Sequence, residues 1–317
     1  PEDALALLKH SDDNESCILK AALLLRLNNY QEASTCLSKC SVDSNKPIAD
    51  SYLLLSNQPT QAEPLDKLKL INKFLTSHGL SEVVLKNAAH VPRVGNLLSS
   101  STLPKVDGPL VSVLMTAYNA AAYINAALDG LLSQTYHNIE IIVINDCSTD
   151  NTEDLILNYA QKDARVKYVK MPENAGTYAA KSVGFQHAKG DFVTCHDSDD
   201  WSHPMRLEKQ VKPLLDDKDL VATASQWVRI QNDGIFYARA VYPLTRLNPA
   251  SPLFRRKAVM EQTGLWDTVR TGADSEFFAR LKLVFGRKAV RLIKLPLTFG
   301  AHRDDSLMTS AATGYTE

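Results

Sequence analysis

From Leu110 onward the chain alternates between short apolar runs and amphipathic stretches, and this alternation restricts the possible fold more than any other feature. The apolar runs are LVSVLMT, IEIIVIN, RVKYVKM, DFVTCH and DLVATASQ. The stretches between them have apolar residues at helical spacing, and they are AAYINAALDGLLSQ, NTEDLILNYAQ, TYAAKSVGFQHA and PMRLEKQVKPLL. Apolar strands that alternate with helices predict an α/β fold with a largely parallel sheet covered on both faces.

The first part of the chain has a different pattern. We predict a helical region at residues 1–100, a linker at 101–109 and an α/β domain at 110–317. The piece LKAALLLRLNNYQEASTCLSK resembles a helix-turn-helix of the tetratricopeptide type, with LNNY as the turn and Ala33 where the second helix packs closely. A repeat array needs a clear period near ~34 residues, so an irregular helical arm is an equally good interpretation.

Charge and cysteine content exclude several classes of function. Lys+Arg number 35 and Asp+Glu 36, and the formal net charge of -1 gives no field that would attract nucleic acid. No apolar run approaches the ~18 residues that span a bilayer. The odd count of 5 cysteines predicts reduced thiols and a cytoplasmic protein, peripheral at the inner membrane face if its acceptor lies there. The chain begins without Met, and we expect a trimmed sequence from which anchors or further domains were cut away.

Polar residues follow four of the predicted strands, and ligands of such sheets bind beyond the carboxyl ends of the strands. The residues are Thr116, Tyr118 and Asn119, then Asn145 and Asp146, then Asn174, and finally Asp197, Ser198, Asp199 and Asp200. The first strand end lacks G-x-G-x-x-G and the chain lacks a P-loop, which argues against both kinds of phosphate site. An aromatic ring such as that of Tyr118 can stack on a base, and Asp146 can accept a hydrogen bond from a base N–H.

The stretch CHDSDDW, from Cys195 to Trp201, places three aspartates within four positions. Such crowded carboxylates repel each other unless a cation is present. Hard divalent cations take oxygen ligands and bridge protein carboxylates to diphosphates. The pattern therefore predicts Mn²⁺ or Mg²⁺ holding a nucleotide diphosphate, and the alternative is a solvated turn that caps the next helix.

The region from about Leu110 to Ser310 resembles family 2 glycosyltransferases with the GT-A fold. The resemblance is carried by VSVLMTAYN, IIVINDCSTDNT and PENAGTYAAKSVGFQHAKGDFVTCHDSDDWSHPMRLE, in that order and spacing. It implies a GT-A-type, Rossmann-like mixed sheet flanked by helices, preceded here by an all-α region.

The resemblance also implies roles for the strand-end residues. Thr116, Tyr118 and Asp146 would hold the nucleoside, usually uridine, with Asn119, Asn174 and Ser198 in the same cleft. Lys181 would lie near the nucleotide or diphosphate, Asp197 would contact the ribose or sugar, and Asp199 or Asp200 would bind the metal. Asn145 and Cys147 stand where the family commonly has Asp and Gly. The cysteine predicts a turn that does not need a positive φ.

The second half of the domain resembles the acceptor side of the same family. GADSEFFARLKLVFG looks like its catalytic helix, which implies Asp274 as the general base and Glu276 as the alternative. An aspartate that only caps the helix is the other interpretation. His302, beside Arg303, could be a metal ligand, a diphosphate contact or a structural residue. Trp266 could be an acceptor platform or part of the core.

The sequence thus predicts a metal-dependent inverting glycosyltransferase. It would move a sugar from a nucleotide-diphosphate donor, most simply a UDP-sugar, to a hydroxyl of a polysaccharide or glycoconjugate. The alternative is a non-catalytic nucleotide-sugar-binding or scaffold module. A nucleotidyltransferase should carry a Gly-rich basic loop, which TAYNAAAY lacks. The N-terminal helices would hold a protein partner, mediate self-association or position the acceptor.

Overall fold

The computed structural model describes residues 2–9, 11, 13–39, 50–59, 63–99, 103–269 and 271–303. Its N-terminal helices are α1 (Glu2–Leu7), α2 (Asn14–Arg26), α3 (Tyr30–Lys39), α4 (Asp50–Ser56) and α5 (Pro64–Ser77). The Asp13 carboxylate begins α2 by accepting the backbone N–H of Ser16 at 3.0 Å. Helices α2 and α3 form the predicted helix-turn-helix, with Ala33 fully buried between them. Its tetratricopeptide character stays a prediction.

Residues 83–99 differ from the helical region predicted for residues 1–100. They contain a small antiparallel pair, β1 (Val83–Leu85) and β2 (Leu97–Ser99). The buried Asn96 side chain organises the turn between the two strands. Its Nδ2 donates to the carbonyls of Asn87, His90 and Val91 at 3.0, 2.9 and 3.1 Å. The turn between β1 and β2 therefore depends on the hydrogen bonds of one amide side chain, which hydrophobic periodicity in the sequence does not predict. Residues 101–102 of the predicted linker lie outside the described residues.

The α/β domain contains the predicted strands and helices. The strands are β3 (Val111–Ala117), β4 (Ile139–Asn145), β5 (Val166–Lys170), β6 (Phe192–Cys195), β7 (Trp201–Ser202), β8 (Ala222–Ile230), β9 (Phe236–Tyr237), β10 (Arg246–Leu247), β11 (Leu253–Arg255) and β12 (Val290–Ala301). The helices are α6 (Ile124–Leu132), α7 (Thr152–Lys162), α8 (Thr177–His187), α9 (Arg206–Asp216), α10 (Arg256–Gln262) and α11 (Ala273–Phe285).

The sheet is mixed, in the order β5-β4-β3-β6-β11-β8-β12-β7, with β9 and β10 paired to β8. Strands β5, β4, β3 and β6 are parallel, joined through helices, as the alternating pattern predicts. Strand β11 runs antiparallel to both β6 and β8, so the expectation of a largely parallel sheet holds for only one half. The connection from β8 to β11 contains no helix, because antiparallel strands need no crossover.

The helical region and the sheet share one hydrophobic core. Phe74 of α5 belongs to the same buried cluster as Trp201 and Phe299, whose ring centroids are 5.9 Å apart. The Asp50 carboxylate accepts the backbone N–H of Leu244 at 2.8 Å, which ties α4 to the α/β domain. Removing the helices would therefore expose large apolar side chains of the domain to water. Within the described residues no helix has the length and apolar character to cross a membrane.

Candidate active site

The carboxyl ends of β3 and β4 carry the residues predicted to hold a nucleoside. Asp146 is buried, and its two carboxylate oxygens accept the backbone N–H groups of Ala175 and Gly176, both at 2.9 Å. Asn174 donates to the Asp146 carbonyl at 3.2 Å. Asp146 thus fixes the loop that leads into α8. An ionised carboxylate has about four lone-pair sites, so Asp146 keeps acceptor capacity for a ligand N–H.

The loop after β3 supplies a hydroxyl and an aromatic ring. Thr116 Oγ1 lies 2.7 Å from Thr177 Oγ1, which joins the end of β3 to the start of α8. Tyr118 is 52% exposed, so its ring is open to a stacking partner. Asn119 instead accepts the backbone N–H of Thr149 at 2.8 Å and ties the loops after β3 and β4 together. Asn119 therefore fixes the position of the two loops relative to each other.

The prediction that the turn at Cys147 avoids positive φ is wrong. Cys147 has φ 64°, in the left-handed region that favours glycine. The turn is held by Asn145, whose Oδ1 accepts the backbone N–H of Ser148 at 2.9 Å. Asn145 therefore stabilises the turn in which cysteine replaces the common Gly, a contact that the carboxylate of the common Asp could also make.

A buried arginine holds the loop that carries the aspartates. Arg206 is fully buried and donates to Thr194 Oγ1 at 3.0 Å and to the Cys195 carbonyl at 2.7 Å. It also lies 3.0 Å from His196 Nδ1, while His196 Nε2 lies 3.2 Å from the Asp200 carbonyl. Burial, with the Arg206 charge, holds the pKa of His196 well below its usual value, so the imidazole is neutral. The sequence pattern alone does not predict this contact between Arg206 and His196.

The three aspartates have different surroundings. Asp200 is buried and accepts the Ala301 backbone N–H at 3.1 Å, and burial raises its pKa well above the ordinary value. Asp199 keeps 23% of its side chain exposed and lies 2.8 Å from Arg303. Burial, and next the charge of Asp197, raises the pKa of Asp199, while Arg303 opposes this. Asp197 and Ser198 are half-buried in the turn that leads to Asp200. The geometry therefore distinguishes Asp199, which reaches the cleft, from Asp200, which anchors β12.

His302 lies beside this turn at the end of β12. Its ring stacks on Tyr237 with centroids 3.8 Å apart, and its backbone N–H donates to the Ile230 carbonyl at 3.0 Å. In the part of the chain that the structure describes, no group of three or more His, Cys, Asp or Glu side chains is arranged to hold a metal ion. The rest of the motif, residues 304–306, lies outside the described residues.

Asp274 lies in the first turn of α11, where Gly272 is the N-cap and no side chain caps the helix. Its carboxylate instead accepts from Lys181 Nζ, which lies 2.8 Å from each oxygen, and from the Trp266 indole. Burial raises the pKa of Asp274, and the Lys181 charge opposes that rise. Burial alone would lower the pKa of Lys181, but the charges of Asp274, Cys195 and Asp197, with the Asp274 hydrogen bond, together raise it and keep the ammonium protonated. The carboxylate is therefore held by an ion pair rather than used as a helix cap.

Of the other acceptor-side residues, Glu276 lies away from this pair and Trp266 lies against it. Glu276 is on the exposed face of α11, 2.6 Å from Arg280. Trp266 is buried against Phe254 and Phe277, with centroid separations of 6.1 and 4.8 Å. Its ring fills the core and orients Asp274, and it offers no open face for a sugar. Lys181, expected near the nucleotide or diphosphate, forms an ion pair with Asp274, and its place relative to the nucleotide stays a prediction.

Comparison with known proteins identifies the region that carries the strand-end part of this site. The family model described as Glycosyl transferase family 2 matches residues 112–273. The chain is 44% identical over 107 residues to an uncharacterized glycosyltransferase of Haemophilus influenzae, which covers 34% of this chain and 43% of that protein. It is 34% identical over 127 residues to glycosyltransferase GlyA of Streptococcus pneumoniae, and this alignment covers 40% of this chain and 18% of that protein. The chain thus spans less than half the length of these relatives.

A solved structure supports the fold. The crystal structure of S. aureus TarS 1-349 in complex with UDP-GlcNAc matches with a TM-score of 0.52 and 20% identity, over 63% of this chain and 61% of that chain. At this identity the similarity establishes the architecture only. The predicted GT-A-type mixed sheet flanked by helices is confirmed.

Proposed function

This chain belongs to glycosyl transferase family 2, and from that premise we propose that it transfers a sugar from a nucleotide-diphosphate donor to an acceptor hydroxyl, with inversion at the anomeric carbon. The observation that carries the proposal is a pair of partly buried carboxylates, each held by its own cation. Asp199 lies 2.8 Å from Arg303 in the turn after β6, and Asp274 lies 2.8 Å from Lys181 at the start of α11. The first follows a strand end on the donor side and the second begins the helix on the acceptor side, which suits two different tasks in one reaction.

The donor nucleoside would bind at the ends of β3 and β4. Uracil presents one N–H between two carbonyls, and the remaining lone pairs of Asp146 can accept from that N–H. The exposed ring of Tyr118 can stack on the base. This chemistry favours a UDP-sugar as the donor, in line with the ligand of the TarS complex.

The surroundings of Asp199 fit a divalent cation. Asp199 offers hard oxygen ligands, and the crowded carboxylates already hold one positive group, Arg303, in ion-pair contact. Mg²⁺ and similar ions typically take one or two protein carboxylates and complete their coordination with phosphate oxygens and water. Asp199 would be the principal ligand, with Asp197 beside it, while Asp200 anchors β12. When bound, Mn²⁺ or Mg²⁺ would stabilise charge on the leaving diphosphate.

The acceptor hydroxyl must lose its proton as it attacks the anomeric carbon, and Asp274 is placed to accept it. Lys181 and Trp266 hold both oxygens of the carboxylate in a fixed orientation. Burial raises the pKa of Asp274, which makes it a better proton acceptor than an exposed carboxylate. The Lys181 charge opposes that rise and so favours the ionised form, which is the form that can accept a proton. We propose a polysaccharide or glycoconjugate as the acceptor, at the cytoplasmic side of the membrane.

A panel of nucleotide sugars tests this function. The purified protein with Mn²⁺ is titrated with UDP-, GDP- and other nucleotide-linked sugars, and both binding and release of the free nucleotide are measured. We expect metal-dependent binding of a UDP-sugar and slow release of UDP with water as acceptor. Binding without release under any acceptor condition would favour a non-catalytic module, and no nucleotide binding at all would contradict the proposal.

A further inference from the structure

A positively charged side chain already lies on the carboxylate that faces the cleft. Arg303 Nη2 is 2.8 Å from Asp199 Oδ2, and the two side chains are only 22% and 23% exposed. The guanidinium carbon also lies 4.7 Å from the centre of the Tyr123 ring. Tyr123 lies between β3 and α6, and Asp199 follows β6, so Arg303 joins the loops that follow two neighbouring strands.

The backbone before Arg303 is fixed by three contacts. Ala301 donates its N–H to Asp200 Oδ1 at 3.1 Å, and His302 donates its N–H to the Ile230 carbonyl at 3.0 Å. The His302 ring stacks on Tyr237 with centroids 3.8 Å apart. Arg303 therefore leaves β12 in a set direction, which makes its contact with Asp199 a feature of the fold.

We propose that Arg303 occupies the metal subsite while the donor is absent, and that the arriving metal and diphosphate displace it from Asp199 onto the diphosphate. This inference rests on the proposed function of the same site. Asp197, Asp199 and Asp200 repel each other without a nearby cation, and Arg303 supplies one before the metal binds. A guanidinium forms bidentate hydrogen bonds with phosphate oxygens as well as with carboxylates, so the displaced side chain has a partner of the right geometry.

The exchange has a thermodynamic consequence. A metal ion alone must compete with Arg303 for Asp199 and gains nothing from the displaced arginine. A nucleotide diphosphate gives the displaced arginine a new partner, so metal and nucleotide should each strengthen binding of the other. Coupling of this kind is typically about 5- to 150-fold in affinity.

The test compares wild type with Arg303→Gln, Arg303→Lys and Arg291→Gln. Arg291 forms an ion pair with Asp217 at 3.1 Å on the exposed surface and serves as the matched control. Mn²⁺ binding is measured by electron paramagnetic resonance without nucleotide, and UDP binding by calorimetry with and without Mn²⁺. Circular dichroism verifies that each variant is folded.

We expect Arg303→Gln to bind Mn²⁺ alone more tightly and Mn²⁺-dependent UDP more weakly, so that the coupling factor falls at least about fivefold. Arg303→Lys should lie between the two, and Arg291→Gln should match wild type. Unchanged Mn²⁺ affinity in Arg303→Gln would overturn the occupation of the subsite. Tighter Mn²⁺ with unchanged UDP affinity would overturn the transfer to the diphosphate. If wild type binds no UDP, the proposed function fails, while the Mn²⁺ titration still decides whether Arg303 occupies the subsite.

Discussion

Replacing Lys181 with Met should change both the pH dependence of catalysis and the stability of the fold. The substitution removes the ammonium that lies 2.8 Å from both oxygens of Asp274 but keeps an unbranched buried chain. A neighbouring cation lowers the pKa of a carboxylate by about 1–3 units. Loss of Lys181 should therefore raise the pKa of Asp274 by that amount. Because the base must be ionised, the acid limb of kcat should move to higher pH by about 1–3 units.

The stability effect follows from the burial of the pair. The side chain of Lys181 is 2% exposed, and that of Asp274 is 16% exposed. Removing one partner of a buried ion pair costs about 3–5 kcal/mol of unfolding free energy, and the partial exposure of Asp274 favours the lower end. In the variant the folded-state pKa of Asp274 lies above its unfolded value. Ionised Asp274 therefore opposes folding at high pH, and the deficit should shrink as pH falls through the folded-state pKa.

Urea unfolding at several pH values measures the loss of unfolding free energy. The dependence of kcat on pH measures the shift of the acid limb. The double variant Lys181→Met/Asp274→Asn should recover part of the lost stability, since no buried charge remains. Lys170→Met is the matched control, because Lys170 pairs with Glu153 at 2.8 Å on the exposed surface and should contribute at most about 1 kcal/mol. An unmoved acid limb together with strictly additive stability losses would refute the coupling of Lys181 to the base.

Two further predictions concern the aspartate turn and the helical region. Asp199→Asn should abolish the effect of Mn²⁺ on UDP affinity in calorimetry. Asp200→Ala should mainly lower the melting temperature, because it removes the oxygen that accepts the Ala301 backbone N–H. Equal loss of the metal effect in both variants would contradict this division. A chain that starts near Lys105 should bind hydrophobic dyes and unfold at lower urea concentration, since Phe74 shares a core with Trp201 and Phe299. A stable truncated chain that binds UDP normally would instead show that the α/β domain folds independently of the helices.

The regular elements of the α/β domain could be predicted because their signals are local. Strands β3 to β6 and helices α6 to α9 each follow from apolar periodicity within one short segment, and their order places the strand ends at one edge. Strand β12 was missed. Its charged residues at Arg291 and Lys294 interrupt the apolar pattern, and its partner β8 is distant in the chain.

The side-chain partners in the site could not be predicted, because they join residues far apart in sequence. Lys181 and Asp274 are separated by 93 positions, and only folding brings them together. Asp199 and Asp200 are equivalent in the sequence pattern, and their different roles depend on the end of β12, where Ala301 binds one and Arg303 the other. The turn at Cys147 was misjudged because the hydrogen bond from Ser148 to Asn145 that holds it is not visible in residue type alone.

The central claim is that Asp274 accepts the proton of the acceptor hydroxyl, and Asp274→Asn tests it most directly. Donor binding and sugar transfer are measured on the same preparation, beside wild type and Glu276→Gln, whose side chain faces Arg280 on the exposed surface. The Asn variant keeps the size of the side chain but cannot accept the proton, so kcat should fall by about 10²–10⁴-fold while nucleotide-sugar affinity stays near wild type. Glu276→Gln should retain transfer. Transfer retained in Asp274→Asn would contradict the assignment, and if Glu276→Gln loses it instead, the base is Glu276.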